Sequence, residues 1–199
     1  MSTDKFKNKY RIASARASWW NYGWNGAYFI TICTKNREHF FGKIENGKMQ
    51  LSKIGLLADV FWHEIKNHTE NTELGAFVVM PNHIHGILIL DKPEISNVPT
   101  VETGHALSLQ TQIQTPAQQR FRNQGKNTVS SIIGSYKSAI TKHCNRLKLT
   151  DDDGLVFGWQ TRFHDHIIRN DEEYQRINDY IETNPANWEN DKFYGNELT

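Results

Sequence analysis

Short apolar runs separated by polar turns occupy the first half of the chain. The run Tyr28–Thr34 is rich in β-branched and aromatic residues, which favours a strand. Within residues 39–51, Asn46-Gly47 stands between two apolar runs, and that arrangement is typical of a β-hairpin. Two further apolar runs follow at Ala76–Met80 and Ile84–Leu90. The pattern therefore predicts one strand, a hairpin and a later pair of strands.

Three segments have the apolar spacing of amphipathic helices. The first begins after Ser52, whose hydroxyl can cap a helix that runs to about His68. The others cover residues 128–148 and 171–183. The order of strands and helices is not the regular alternation of a parallel α/β fold. It predicts an α+β domain, an antiparallel sheet with helices on one or both faces.

The domain organisation follows from length and local composition. The 199 residues suit one domain. Residues 1–26 form a basic and aromatic N-terminal segment, and residues 27–199 are assigned to the single domain. Within it, residues 91–127 contain three Pro with many Gln and Thr and no sustained period, which predicts a mobile loop.

Charge is unevenly distributed although the net charge is only +1. Residues 1–37 contain seven Lys or Arg and one acid, and residues 119–148 contain seven basic residues and no acid. Such segments favour a surface that binds a polyanion. The alternative is that both segments are solvated faces with an accidental bias.

Cysteine usage and hydropathy indicate the cellular compartment in which the protein is expected. Cys33 and Cys144 are the only cysteines, and their spacing suits neither a disulfide framework nor a metal site. No window approaches the length of uncharged apolar sequence that spans a membrane, and the N-terminus lacks the apolar stretch of a signal peptide. A reducing cytoplasm and no membrane partner are expected.

His83 and His85 are the candidate metal ligands. Residues i and i+2 of a strand point to the same face, so the two imidazoles would project together, and Gly86 would leave space beside them. Imidazole suits transition ions, and a phosphate with waters could complete the coordination of Mg²⁺ or Mn²⁺. A pair of hydrogen-bonded or solvent-facing histidines is the alternative.

Tyr136 is the candidate nucleophile. It lies on the predicted basic helix among small residues, with Lys137 and Lys142 close in sequence. A phenol with a pKa near ~10 needs a metal, a cation or a base to attack a phosphate. The same residue lies four positions from both Ile132 and Ile140, so it also suits a packed core aromatic, and another tyrosine, Tyr174 or Tyr180, is then the alternative nucleophile.

Two aromatic and basic segments are candidates for DNA contact. Trp159 and Arg162 stand in one of them, and Arg16 and Trp19 in the other. Lys137 and Lys142 on the predicted basic helix are further candidates for DNA binding. Aromatic rings can stack on unpaired bases while cations follow the phosphates. Packing of the tryptophans in the core is the alternative in both segments.

Four stretches resemble the HUH single-strand DNA transposases, specifically the single-tyrosine insertion-sequence class and its REP-associated, often domesticated relatives. They are FITICTKNREHFFG, VVMPNHIHGILIL, SSIIGSYKSAITKHCN and WQTRFHDHIIRNDEEYQRINDYIETNPANW, in order from about Tyr28 to Trp188. The histidine motif followed by the last block is far more specific than His-x-His alone.

The resemblance implies a ferredoxin-like α+β domain, a divalent ion (Mg²⁺ or Mn²⁺) and hairpin-forming single-stranded DNA as substrate. It also implies a 5′-phosphotyrosine intermediate with a free 3′-hydroxyl. His83 and His85 match the family histidines, and Tyr136 is the expected nucleophile. In several relatives a polar metal ligand follows the tyrosine by one helical turn. That position is Ile140 here, which leaves His143 as a substitute ligand.

Three functions stay open at this point. The leading one is a metal-dependent nuclease and strand transferase of the transposase type. The alternatives are a domesticated hairpin-binding protein that no longer cuts and a metal-dependent phosphoesterase. Relatives act as monomers or as dimers that exchange helices, so a homodimer is one of two open states.

Overall fold

Residues 23–92, 127–150 and 154–195 are described by a computed structural model. Six strands and three α-helices lie in these ranges. The strands are β1 Gly26–Cys33, β2 Gly42–Glu45, β3 Lys48–Leu51, β4 Thr72–Val79, β5 His83–Leu90 and β6 His164–Ile168. The helices are α1 Lys53–His68, α2 Val129–Leu147 and α3 Asp171–Thr183, and a 3₁₀ helix, Asn184–Asn190, follows α3 directly.

Four strands form one antiparallel sheet in the order β4-β5-β1-β6. Together with α1 and α2 this is the ferredoxin-like arrangement, and the α+β class and single domain inferred from the sequence are confirmed. β2 and β3 form a separate hairpin between β1 and α1.

Local sequence signals explain where these elements begin and turn. The Ser52 hydroxyl accepts hydrogen bonds from the backbone N–H groups of Ile54 and Gly55, which caps α1. Asn46 and Gly47 have φ values of 53° and 70° at the tip of the hairpin. Asn and Gly tolerate this left-handed conformation, which a two-residue hairpin turn requires.

The two faces of the sheet pack against different helices. One face supplies Tyr28, Ile30, Ile84 and Leu88 to a core that also contains Trp62 of α1 and residues of α2. The other face supplies Ile87 and Ile168 to a cluster with Ile177 and Ile181 of α3. Because alternate strand residues point to opposite faces, His83 and His85 lie on the α3 side with Ile87.

Two elements differ from the expectation. β4 begins at Thr72, several residues before the apolar run, and β6 lies in a segment whose mixed aromatic and charged residues gave no clear strand pattern. β6 is an edge strand that pairs with β1 alone, so only part of it needs apolar residues. Most of the expected loop at 91–127 and of the segment at 1–26 lies outside the described residues.

No described helix combines the length with the apolar character that crossing a bilayer requires.

Candidate metal centre and adjoining basic groove

His83 and His85 lie side by side at the start of β5. Their ring centroids are 4.5 Å apart, and both side chains are buried. The strand register places Cys33 opposite His83 and Thr31 opposite His85 on β1. The expectation that the pair projects from one face of a buried strand is therefore met.

Hydrogen bonds fix the orientation of both imidazoles. His83 Nδ1 lies 2.9 Å from Asn82 Oδ1, and His85 Nδ1 lies 2.9 Å from Thr31 Oγ1. The Asn82 oxygen can only accept, so His83 carries its proton on Nδ1 and presents the lone pair of Nε2. A histidine that binds a metal through one ring nitrogen usually hydrogen-bonds through the other, and Asn82 and Thr31 supply these partners at Nδ1.

Burial keeps the histidines neutral, which is the form that binds a metal. Desolvation lowers the pKa of His83 well below its ordinary value, and the neighbouring His85 adds to the effect. Desolvation likewise lowers the pKa of His85 to about 3, although the Asp191 carboxylate opposes the shift. Both rings are therefore uncharged at neutral pH, each with one N–H proton and one nitrogen lone pair.

Asp191 completes a three-residue cluster with the histidines. One potential ligand atom from each residue lies within 4.8 Å of the other two. Among the described residues, this is the one cluster of three potential metal ligands. The carboxylate is held from three sides. Its Oδ1 accepts the Phe193 N–H at 2.7 Å, and its Oδ2 accepts the Asn184 amide at 3.0 Å and the Tyr180 hydroxyl at 3.1 Å.

The donor set fits a divalent ion. Among the described buried side-chain atoms, His83 Nε2 and Asn184 Oδ1 have no hydrogen-bond partner. A buried acceptor without a partner is costly, and a cation would satisfy it. Two neutral imidazoles, one carboxylate and one amide oxygen suit Mn²⁺ and, with waters and a phosphate, Mg²⁺. His83, His85 and Asp191 would hold the ion, with Asn184 beside them.

Tyr180 of α3 is the phenol next to this cluster. Its hydroxyl lies 3.2 Å from His85 Nε2 and 3.1 Å from Asp191 Oδ2. Tyr180 is 38% exposed. Partial burial and the nearby Asp191 carboxylate raise the pKa of Tyr180 to about 12. The resting phenol is therefore protonated.

Tyr136 is not brought to the histidines. It lies on α2, across the sheet from the His pair, with only 3% of its side chain exposed. Its hydroxyl donates to the Ala58 carbonyl at 2.8 Å, and its ring packs edge-to-face on Trp62. Burial raises the pKa of Tyr136 well above its ordinary value. This placement fits the alternative interpretation as a core aromatic, and a role as nucleophile stays an untested prediction.

The expected third ligand also lies elsewhere. Ile140 is fully buried in the core on the α2 side. His143 Nδ1 is hydrogen-bonded to the Ala139 carbonyl, and its ring packs at a tilt of 49° against Phe61, with ring centroids 4.7 Å apart. The polar residues beside the His pair are Asp191 and Asn184, so the absence of a ligand at Ile140 no longer argues against a metal site.

Gly86 serves a different purpose from the one expected. It lies on the opposite face from the histidines, where a Cβ atom would come within 2.3 Å of Trp62 Cζ2. The missing side chain therefore makes room for the Trp62 ring of α1 and not for an ion.

Three of the predicted DNA-binding residues meet in one groove beside α2. Lys137, Lys142 and Trp159 line an open depression of about 480 Å³ together with Ser138, Thr141 and Asn145. The Lys137 ammonium donates to the Gln160 carbonyl and lies 5.8 Å from the centre of the Trp159 ring. Arg162 is exposed and is not part of the groove lining, while Arg16 and Trp19 lie outside the described residues.

A spacing in the sequence could have revealed Tyr180 and Asn184. They stand one helical turn apart, which is the tyrosine-to-ligand spacing that the resemblance implies. The basic charge around Tyr136 favoured that residue and left Tyr180 as an alternative only. Asp191 had no such signal, because only the folded C-terminal segment brings it to the histidines.

Comparisons with known proteins agree with this architecture. An uncharacterized protein of Haemophilus influenzae is 34% identical over 181 residues, which cover 91% of this chain and 92% of that protein. No protein-family model matches the chain.

Among solved structures, a REP-associated tyrosine transposase bound to a REP hairpin superposes with a TM-score of 0.52 at 20% identity. The match covers 87% of this chain and 74% of the transposase. A proposed transposase from Deinococcus radiodurans gives a TM-score of 0.41 at 16% identity. The match covers 84% of this chain and 95% of that one, and the similarity is too low to establish a shared fold.

Proposed function

Because the chain belongs to one family with the Haemophilus influenzae protein and has the fold of the REP-associated tyrosine transposase, we propose that it is a transposase-type enzyme. It cleaves and rejoins single-stranded, hairpin-forming DNA through a tyrosine, with a divalent ion at His83, His85 and Asp191. The observation that carries the proposal is the Tyr180 hydroxyl, which lies within 3.2 Å of both His85 and Asp191.

The nucleophile under this proposal is Tyr180. A divalent ion held by the cluster would supply charge that polarises the scissile phosphate. The Tyr180 oxygen forms a bond to phosphorus while the bond from phosphorus to the DNA 3′ oxygen breaks. The Asp191 carboxylate, already the acceptor of the phenol's hydrogen bond, takes the tyrosine proton, and the leaving 3′ oxygen takes a proton from solvent water.

The intermediate keeps the energy of the broken bond. One phosphodiester linkage is exchanged for a 5′-phosphotyrosine and a free 3′-hydroxyl, so attack by a 3′-hydroxyl can rejoin the strand. Thr31 and Asn82 hold the imidazoles in place, and Tyr180 beside them is partly exposed.

The first prediction compares two phenols. Wild-type protein incubated with Mn²⁺ and labelled hairpin DNA from the sequence flanking its gene should give a covalent adduct on a denaturing gel. Tyr180→Phe should abolish the adduct, because it removes the oxygen beside His85. Tyr136→Phe should retain the adduct and lose about 1–3 kcal/mol of stability, because it leaves the buried Ala58 carbonyl without its donor.

The two variants control each other. An adduct that survives Tyr180→Phe but disappears in a folded Tyr136→Phe would return the nucleophile to Tyr136. Cleavage that gives no adduct and is unaffected by Tyr180→Phe would support the metal-dependent phosphoesterase. That function is the second candidate because the Asp191 carboxylate lies beside the two histidines. Tight binding without cleavage would favour the domesticated hairpin-binding protein.

The second prediction distinguishes metal binding from DNA binding. His83→Ala removes one ligand from the centre of the cluster and should abolish cleavage while most of the hairpin affinity remains. Gel-shift and cleavage assays on the same substrate measure the two effects. Parallel loss of binding and cleavage would contradict a role of His83 in holding the ion.

A further inference from the structure

The charges on the two helices that flank the sheet are opposite. α2 carries Lys137, Lys142 and Arg146 and contains no acid. α3, which covers the histidine face, carries one Arg and five acids: Asp171, Glu172, Glu173, Asp179 and Glu182. A polyanion that reaches the histidines is therefore repelled along α3 and attracted toward α2.

A short route joins the metal centre to the basic groove beside α2. Cys33 is paired with His83 across the sheet, and its carbonyl accepts the Gln160 N–H at 2.9 Å. The Gln160 carbonyl in turn accepts the Lys137 ammonium at 2.6 Å. The segment around Gln160 thus crosses the end of β1 and places Lys137 three contacts from the histidine strand.

Cations line this route at the metal end as well. The Arg37 guanidinium and the Lys192 ammonium lie 5.2 Å and 4.8 Å from the centre of the Phe193 ring, which itself packs on His83. The Lys35 side chain lies against Gly158, one residue before Trp159. Basic groups therefore follow one another from the histidines across the end of β1 to α2.

The groove at the far end suits an unpaired strand better than a duplex. Trp159 is half-buried, and its indole N–H is fixed on the Lys137 carbonyl at 3.2 Å, so the ring is held in place. Lys137, Thr141 and Asn145 follow at one-turn intervals along the wall of the groove, over about 12 Å of helix. A fixed aromatic beside spaced cations and polar groups is the chemistry that binds single-stranded nucleic acid without base-pair readout.

We propose that the single strand extending from the hairpin leaves the metal centre across the end of β1 and lies in the groove between α2 and Trp159. The inference rests on the proposed function, since it concerns where the same DNA runs beyond the reacting phosphate. Lys137 and Lys142 hold its phosphates, and Trp159 stacks on a base.

The test measures non-covalent binding, so it can fail independently of the chemistry. Fluorescence anisotropy in Mn²⁺ compares a blunt hairpin with hairpins that carry 5′ or 3′ single-stranded tails of increasing length, in a Tyr180→Phe background. A tail should raise the affinity. Lys142→Glu should remove about fivefold of that gain and reduce the salt dependence of tailed binding by ~0.7 per lost phosphate contact.

Lys66→Glu is the matched control, because Lys66 is exposed on α1 away from the groove. It should change neither affinity, whereas Lys142→Glu should lower the affinity for tailed hairpins more than the affinity for the blunt hairpin. Photo-crosslinking of bromodeoxyuridine tails to the parent protein should label the peptide that contains Trp159, and this readout does not depend on how a variant folds.

Three results would overturn the proposal. In the first, neither a 5′ nor a 3′ tail raises the affinity. In the second, the gain in affinity persists in Lys142→Glu and the crosslinks fall outside the groove. In the third, no hairpin binds at all. The last result removes the proposed function too. Failure of the chemistry alone shows itself differently, as tail-dependent binding without any adduct in the wild-type protein.

Discussion

Asn82 ties the histidine strand to the C-terminal segment through one carboxamide. Its oxygen faces His83 Nδ1 and its nitrogen donates to the Phe193 carbonyl at 2.9 Å, and the residue is fully buried. Phe193 also supplies the N–H that orients Asp191. A single side chain therefore fixes one ligand directly and steadies the backbone beside another.

Asn82→Ala should consequently weaken metal binding. Loss of a hydrogen-bond partner behind a ligating imidazole typically raises the dissociation constant of the metal about 10–100-fold. Isothermal titration with Mn²⁺ measures this in the absence of DNA. Asn67→Ala is the control, because that exposed amide contacts only Glu64 of its own helix. Equal affinities for both variants would show that Asn82 does not orient His83.

At the scale of elements, α1 docks on β5 because one residue of the strand has no side chain. The Trp62 ring occupies the space beside Gly86 and stacks on Phe77 of β4, with ring centroids 4.7 Å apart and planes only 9° from parallel. The histidines protrude from the other face of the same strand. Their position therefore depends on how closely the helix behind them approaches.

Two glycine substitutions separate packing from backbone freedom. Gly86→Ala should destabilise the fold by about 1–3 kcal/mol or more, because its methyl group meets the Trp62 ring. Gly134→Ala should stabilise α2 by about 0.8–1 kcal/mol, since a Cβ at Gly134 meets nothing within 4 Å and Ala is the better helix former. Urea unfolding measures both. A neutral Gly86→Ala would mean that the helix moves away without cost.

The elements were largely predictable from sequence, while their meeting points were not. Apolar spacing and caps located α1, α2 and the hairpin, because those signals are local. β6 was missed because an edge strand that carries His164, Asp165 and His166 lacks the apolar pattern of a central one. The histidine pair was found because two positions on one strand are a local arrangement. Tyr180 and Asp191 reach it only through the packing of α3 and the segment after it.

For the molecule as a whole, two buried neutral histidines link stability to pH. Burial lowers the pKa of both, that of His85 to about 3, whereas the unfolded chain binds the proton near ~6.5. A depressed pKa in the fold means that the unfolded state takes up protons first. The contribution is therefore complete above pH ~6.5 and is lost as the pH falls from there toward 3.

The metal-free protein should lose up to about 1.4 kcal/mol of stability per pH unit for each of these histidines across that window. Urea unfolding in EDTA at several pH values gives the slope. His85→Gln should flatten it by about one histidine's share, because glutamine does not titrate. An unchanged slope would mean that His85 is protonated in the fold.

The opposite charges of α2 and α3 are a property of the whole molecule. They give a nearly neutral protein one attractive and one repulsive side, which net charge alone conceals. A homodimer stays one of two open states, and the DNA contacts of Arg16, Trp19 and Arg162 stay predictions.

The hydrogen bond from Asn82 to the Phe193 carbonyl joins positions 111 residues apart in the chain. On a translating ribosome the two histidines emerge long before Tyr180 and Asp191 do. Under the proposed function, a nascent or prematurely terminated polypeptide would carry the histidines without the phenol and the carboxylate, so it could not break DNA. Under the proposed function, the order of residues along the chain therefore delays nuclease activity until synthesis has passed Phe193.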